Sequence, residues 1–280
     1  MLDAVCTHGG EVRTYNIFDF QKLDPAVIEL KRQHLQCPNP DCNGKAYYRR
    51  ASVDGKAACF GSRYHITECD EGRSSEQGSR EEQQAQEVSQ ILAKAGEVVF
   101  DFSPVVVKAK PSAKTADSAT QAKTGRRSSS TTANRTAKTA TLGMEKALAS
   151  LMRGSGLDSS NTVIQLDGRF NFKAKNLFVN FADAEPQASA ADAKPKMFWG
   201  TISHSDADLN WLNPSDCDDV GIPIIRYQKA ILSRFGITDR RDVEGAGLIL
   251  YGKCFWNRSK TRKIIELWDS ERIFISLLAD

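Results

Sequence analysis

Four residues with metal-ligand chemistry bracket a hairpin pattern near the start of the chain, and this constrains its fold more than any other stretch. Cys37, Cys42, His65 and Cys69 follow the spacing C-x4-C-x22-H-x3-C. Thiolates and an imidazole are the ligands that tetrahedral Zn²⁺ prefers, and the short gap within each pair lets a tight turn aim both side chains at one ion. Between the pairs, 45–52 and 56–61 read as short strands separated by Val53-Asp54-Gly55. Asp-Gly favours the type I′ turn that joins antiparallel strands, so a hairpin here returns His65 and Cys69 to Cys37 and Cys42. Cys59, His34, Cys6 and His8 are spare donors that could replace a ligand.

On these residues the segment 37–69 resembles a zinc ribbon or a related zinc β-hairpin module, although its x4 gap is wider than the x2 usual in ribbons. The resemblance implies a structural Zn²⁺. Seven cysteines, an odd number, in a chain without a charged-then-apolar leader pattern argue for metal binding or free thiols rather than a disulfide framework. With no uninterrupted apolar span of membrane length, the expectation is a soluble, cytoplasmic protein with no membrane partner.

The 40% hydrophobic content is lean for a fully packed globule of 280 residues, so a disordered segment is expected. From 108 to 141, Ala, Ser, Thr and Lys dominate and large apolar residues disappear. Lys108, Lys110, Lys114, Lys123, Arg126, Arg127, Arg135 and Lys138 face only Asp117, which makes the stretch a cationic linker unable to form a core. The implied division is 1–103 for the zinc module, 104–141 for the linker and 142–280 for a second domain. Such a tether suits nonspecific phosphate contacts, and it equally suits mere solubility.

Elsewhere the pattern predicts a strand over 11–20, a helix over 26–35 capped by Asp24 and Pro25, a helix over 80–95 ending at Gly96, and extended segments at 98–102 and 105–107. Past the linker it predicts a helix over 142–152 for docking or dimerisation, a hairpin over 162–172 turning at Asp167-Gly168, and strands at 176–182 and 196–203. There follow a polar acidic loop, a helix from Pro223 to Phe235, and strands at 248–256, 263–268 and 272–278. The fold class is α+β, mainly β. The order of strands with one late helix resembles the oligonucleotide/oligosaccharide-binding (OB) fold, a small Greek-key barrel, over 162–278. Seven strands are available where that fold needs five.

Within the terminal hairpin, Tyr251, Lys253 and Phe255 share a face with Ile249, while Trp256 lies on the other face. The tip carries Arg258, Lys260, Arg262 and Lys263 and no acidic residue. Rings beside cations are what single-stranded nucleic acid needs, and the eight residues Tyr251, Lys253, Phe255, Trp256, Arg258, Lys260, Arg262 and Lys263 form the candidate nucleic-acid site. The alternative is that Tyr251 and Phe255 are barrel core and the tip a solvated loop. Arg49, Arg50, Lys56 and Arg63 around the first hairpin offer a second contact surface.

These residues lead to the expectation of a non-enzymatic nucleic-acid-binding protein, with single-stranded DNA favoured. A second reading is an interaction or scaffold subunit docking a protein partner. A third is a metal-dependent nuclease using His204, Asp206, Asp208, Asp216, Asp218 and Asp219, although one contiguous acidic run is usually solvated surface. Phosphate-loop, nucleophile-elbow and dinucleotide fingerprints are absent from the sequence, and Cys217, flanked by carboxylates, makes a poor nucleophile.

Overall fold

A computed structural model of the chain describes residues 1–52, 55–66, 68–72, 75–103 and 140–278. The N-terminal part comprises β1 (Asp3–Cys6), β2 (Arg13–Asn16), α1 (Ile17–Phe20), α2 (Pro25–Lys31), β3 (Leu35–Gln36) and the hairpin strands β4 (Ala46–Arg49) and β5 (Cys59–Ser62). β1 lies between β2 and β3, antiparallel to both, and β4 pairs antiparallel with β5. The strand expected over 11–20 stops at Asn16, whose side-chain oxygen accepts the Phe18 N–H and starts a helical turn instead. Asp24 caps α2 as expected, accepting the Ala26 N–H at 2.8 Å with Pro25 in the first turn. Tyr15, Phe20, Leu35, Tyr48 and Phe60 meet in a small aromatic-rich core. Two residues of the expected hairpin turn, Val53 and Asp54, lie outside the described residues.

Next come α3 (Glu76–Lys94), β6 (Glu97–Asp101), β7 (Ala140–Gly143), α4 (Met144–Met152), β8 (Val163–Leu166), β9 (Phe170–Lys173) and α5 (Ala174–Leu177). α3 begins four residues earlier than the apolar stripe suggests, because Ser75 caps it by accepting the Gly78 N–H. β6 runs parallel to β7 and to β8, and β9 closes the sheet as a hairpin with β8. Asp167 and Gly168 both have positive φ, 52° and 65°, the backbone a type I′ turn requires. Most of the expected cationic linker, 104–139, and the extended segment 105–107 lie outside the described residues. Ala140 and Thr141, read as its end, belong to β7.

The remaining elements are β10 (Phe178–Asn180), β11 (Lys196–Ser205), β12 (Trp211–Pro214), β13 (Val220–Pro223), α6 (Gln228–Phe235), β14 (Gly247–Trp256), β15 (Lys263–Leu267) and β16 (Ile273–Ser276). β11, β12, β13, β15 and β14 hydrogen-bond in that order, and β14 returns to β11, closing a five-stranded β-barrel. β10 and β16 extend it at the edges of β11 and β14. The hairpin expected to open the barrel, β8–β9, belongs to the other sheet. β12 and β13 fall where a polar loop was expected, and Pro223 ends β13 rather than starting α6. Both strands are only four residues long, too short for their alternation to stand out among Asp, Asn and Ser.

Phe198, Ile202, Leu212, Val220, Leu248, Leu250 and Ile265 fill the barrel interior. The opposite face of β14 is also buried. Ile249 and Tyr251 join Trp199, Phe274, the apolar face of α4, and Val88, Val98 and Phe100 in a second core. The expected docking helix therefore packs inside its own chain, on α3 and the barrel wall. Gly252 is required in β14, since a side chain there would collide with the Glu266 carbonyl of the neighbouring strand.

Candidate metal centre and barrel surface

The two halves of the Cys/His pattern converge. The ligand atoms of Cys37, Cys42, His65 and Cys69 all lie within 4.8 Å of one another. Cys37 and Cys69 place their Sγ atoms 3.7 Å apart, and Cys42 Sγ is 3.4 Å from His65 Nδ1. A tetrahedral ion with bonds of about 2.3 Å to sulfur and 2.0–2.1 Å to nitrogen spaces such atoms about 3.8 and 3.5 Å apart. The cluster is thus a Cys3His set able to bind a metal ion. Among the described residues it is the one such group, and Cys59, His34 and Cys6 are not part of it. His34 instead packs at a tilt against His8, with ring centres 4.8 Å apart, and Cys6 points to the Lys31 carbonyl.

Local backbone chemistry shapes each half. The Cys37 N–H donates to the Gly44 carbonyl at 2.8 Å, and the Cys42 and Asn43 N–H groups both donate to the Asn39 carbonyl, with Asn43 left-handed at φ 46°. Asn39 Oδ1 accepts the Asp41 N–H, which tightens the turn. On the other side the Cys69 N–H donates to the Ile66 carbonyl at 3.1 Å. Gly44 lets the halves meet, because a Cβ there would lie 2.8 Å from the Tyr64 carbonyl oxygen. Burial pushes the Cys37 thiol up to about 12. Burial also acts to raise Cys42, but N–H groups of Ile66 and Gly44, with the neighbouring thiols, hold it below its ordinary value. Burial, followed by the positive N-terminus, lowers His65 and favours the neutral imidazole that a metal requires.

The barrel hairpin spreads its eight candidate residues over quite different surroundings. Tyr251 is buried, its ring 5.7 Å from Phe102 and 6.1 Å from Trp268, with the Arg272 guanidinium over it. That ring is core and has no open face for a base. Phe255 and Trp256 are half-buried, with Phe255 opposite Ile264. Lys253 donates to the Ala190 carbonyl and sits over Trp268. Lys263 pairs with Asp219 at 3.0 Å, and Arg262 donates to Asn213 Oδ1 and to the Val220 carbonyl. Of the eight, only Arg258 and Lys260 are exposed, at the tip that Asn257 organises by accepting the Thr261 and Arg262 N–H groups.

The acidic-loop residues are dispersed as well. Asp206 accepts the Trp211 N–H, the half-buried Asp216 accepts the Thr201 N–H, Asp219 faces Lys263, and Asp208 and Asp218 are exposed. Burial raises Asp216 to about 6 and, with Asp219 and Asp216 beside it, raises the Cys217 thiol further from ionisation. His204 lies 3.1 Å from Glu29, yet burial and the nearby Arg32, Arg262, Arg50 and Arg240 push it down to about 2, so it is neutral.

A buried ionic knot, absent from the sequence reading, joins the N-terminal part to the barrel. Arg32 and Glu244 are both fully buried and 2.8 Å apart. Arg32 also donates to the carbonyls of Tyr48 and Ser203, while Arg50 donates to Glu244 from its side chain and its backbone N–H. No family model matches the chain, and no match was found among curated proteins or solved structures. Among the described residues, no helix is long and apolar enough to cross a membrane.

Proposed function

We propose that the chain is a non-enzymatic nucleic-acid-binding protein that uses an OB-type barrel and a structural Zn²⁺, with single-stranded DNA as the favoured ligand. The observation that carries this reading is the barrel connectivity. In barrel order the strands run first, second, third, fifth, fourth and back to the first, with α6 between the third and fourth. OB barrels bind oligonucleotides on the second and third strands and on the loops after the first and fourth. Here the loop after the fourth strand is the tip that exposes Arg258 and Lys260. Trp211 on the second strand is half-buried and supplies a ring beside Arg262. With Tyr251 committed to the core, stacking falls to Trp211, Phe255 and Trp256. Donor chemistry favours Zn²⁺, since three thiolates and an imidazole suit this borderline-soft ion and leave no position open for catalysis.

The test is fluorescence anisotropy of single-stranded DNA, duplex DNA and RNA oligomers across a salt series, with wild type and the Arg258→Ala, Lys260→Ala double variant. Tight single-strand binding with a salt slope reduced by about 1.4 in the double variant supports the reading, since each phosphate contact on a single strand contributes about 0.7 of slope. No binding to any oligomer at low salt removes it. A protein partner is the second reading, favoured by the exposed Ile225 and Trp268, which the Tyr227 hydroxyl links by donating to the Trp268 carbonyl.

A further inference from the structure

Strand β9 leaves one side of its sheet open. It pairs with β8 and has no second neighbour among the described residues. Phe172 stands opposite Ile164 and Phe170 opposite Leu166, so both rings lie on the sheet face that Ile164 and Leu166 bury. Phe172 packs against that core, whereas Phe170 lies outside it and is 55% exposed. The apolar face of the sheet therefore runs on past its cover. Its backbone is open as well. The Ala174 N–H donates to the Thr162 carbonyl at 2.9 Å, while the Val163 N–H turns the other way, to the Gly96 carbonyl at 3.0 Å. Hydrogen-bonded and non-hydrogen-bonded pairs alternate along an antiparallel ladder, so Phe170 and Phe172 aim their polar backbone groups at β8. Asn171 and the Lys173 N–H aim theirs outward.

Charge decides what can pair there. By alternation Asn171 and Lys173 point to the face opposite the two rings, and Arg169 precedes the strand at its turn. All three are exposed, as is Lys175 just beyond the strand. The acid nearest in sequence, Asp167, is held by Arg272 at 2.9 Å. A second copy of β9 pairing antiparallel through Asn171 would set Arg169 of one copy opposite Lys173 of the other, and like charges directly opposite are destabilising. Lysine on an edge strand guards against self-association in this way. It gives no protection against a strand of opposite charge.

We infer that β9 docks an extended acidic segment of a protein partner, which adds a fifth strand to this four-stranded sheet. Strand addition draws affinity from main-chain hydrogen bonds and specificity from alternate side chains. The outward groups of Asn171 and Lys173 supply the first. For the second, apolar side chains of the incoming strand continue the face that ends at Phe170, and carboxylates at the alternate positions meet Lys173 and Arg169. The site lies on the sheet rather than on the barrel, so it stands independently of the nucleic-acid reading.

The experiment uses the full chain and a labelled peptide alternating Glu and Val, compared with a Lys-and-Val peptide, a backbone N-methylated Glu-and-Val peptide and a single-stranded DNA oligomer. Binding is read by fluorescence anisotropy and by amide hydrogen exchange. The expected result is binding of the unmodified Glu-and-Val peptide alone among the three, with new exchange protection at Asn171 and Lys173 and unchanged protection in β8. Asn171→Pro removes an outward N–H, which an edge strand tolerates, and is expected to weaken binding about tenfold. The Arg169→Glu, Lys173→Glu double variant is expected to reverse the preference to the Lys-and-Val peptide, a result that misfolding does not give. Absence of peptide binding, binding unaffected by N-methylation or by Asn171→Pro, or protection that appears elsewhere overturns the inference. So does protection of Asn171 and Lys173 by the DNA oligomer but not by the peptide, or a dimer in sedimentation that Asn171→Pro abolishes, which would mark a nucleic-acid track or a self-paired edge instead.

Discussion

The hairpin around the metal centre and the barrel beside it are both small antiparallel β structures, but they are held together by different means. From β4 and β5 the hairpin gives Ala46, Tyr48 and Phe60 to a shared core, and its two flanks are joined at the four ligand side chains. The barrel closes its hydrogen-bond ring and fills it with aliphatic side chains. A small module with little apolar surface needs a staple, whereas a closed barrel has both a core and no free edge to protect. One region therefore depends on a few donor atoms, and the other on a distributed interior.

The largest expected effect comes from removing the staple. If the Cys3His set holds the proposed Zn²⁺, chelation, or Cys69→Ser, should abolish hydrogen-exchange protection in β4 and β5 while the barrel strands keep theirs, because a structural Zn²⁺ contributes on the order of 10 kcal/mol to the fold of small modules. If both regions lose protection together, the two are one cooperative unit and the comparison fails. Glu244→Gln comes next. It leaves the buried Arg32 with only the partly exposed Glu29, 3.3 Å away, as a counter-charge, and urea denaturation should show a loss of about 3 kcal/mol. Leu250→Ala, in the fully buried barrel interior, should cost about 2–5 kcal/mol by the same measurement without changing bound metal.

The smallest effect is set by pH. His204 is neutral in the folded chain, lowered to about 2 from an ordinary 6.5, so below pH 6.5 the unfolded chain binds a proton that the folded chain does not. Its contribution therefore erodes stability as pH falls, by about 2 kcal/mol between pH 7 and 5. Asp216 works against it. Raised to about 6 from 3.8, it takes up its proton first in the folded state and gains stability over the same range. Denaturation of His204→Gln at pH 7 and pH 5 should show a smaller acid loss than wild type, and Asp216→Asn a larger one.

The sequence was most legible where chemistry is local. Asp24-Pro25, Asp167-Gly168 and the paired Cys/His spacings each fix a turn or a start within a few residues, and each reappears in the fold. What stayed hidden depends on contacts across the chain. β12 and β13 exist because β11 and β15 pair with them, and nothing in their own four residues requires a strand. Tyr251 alternates correctly for a surface aromatic, and only Phe102, Trp268 and Arg272 packed around its ring reveal that its face is covered. For the same reason Arg262 and Lys263 look like free cations in sequence, while Asn213 and Asp219, their partners, lie 49 and 44 residues earlier.

Arg32 and Glu244 are 212 residues apart in sequence. At about 5–20 residues per second of synthesis, roughly 10–40 seconds separate their emergence from the ribosome. For most of that interval the Cys3His set is complete and able to bind a metal ion, but the arginine destined for burial has only its neighbour Glu29 as a carboxylate partner. The surface destined to lie against the barrel must therefore be stable while wet and charged. Docking is then a late event in the life of each nascent chain, and a truncated product ending before Glu244 would carry all four Cys/His donors beside a hydrated arginine at its exposed junction.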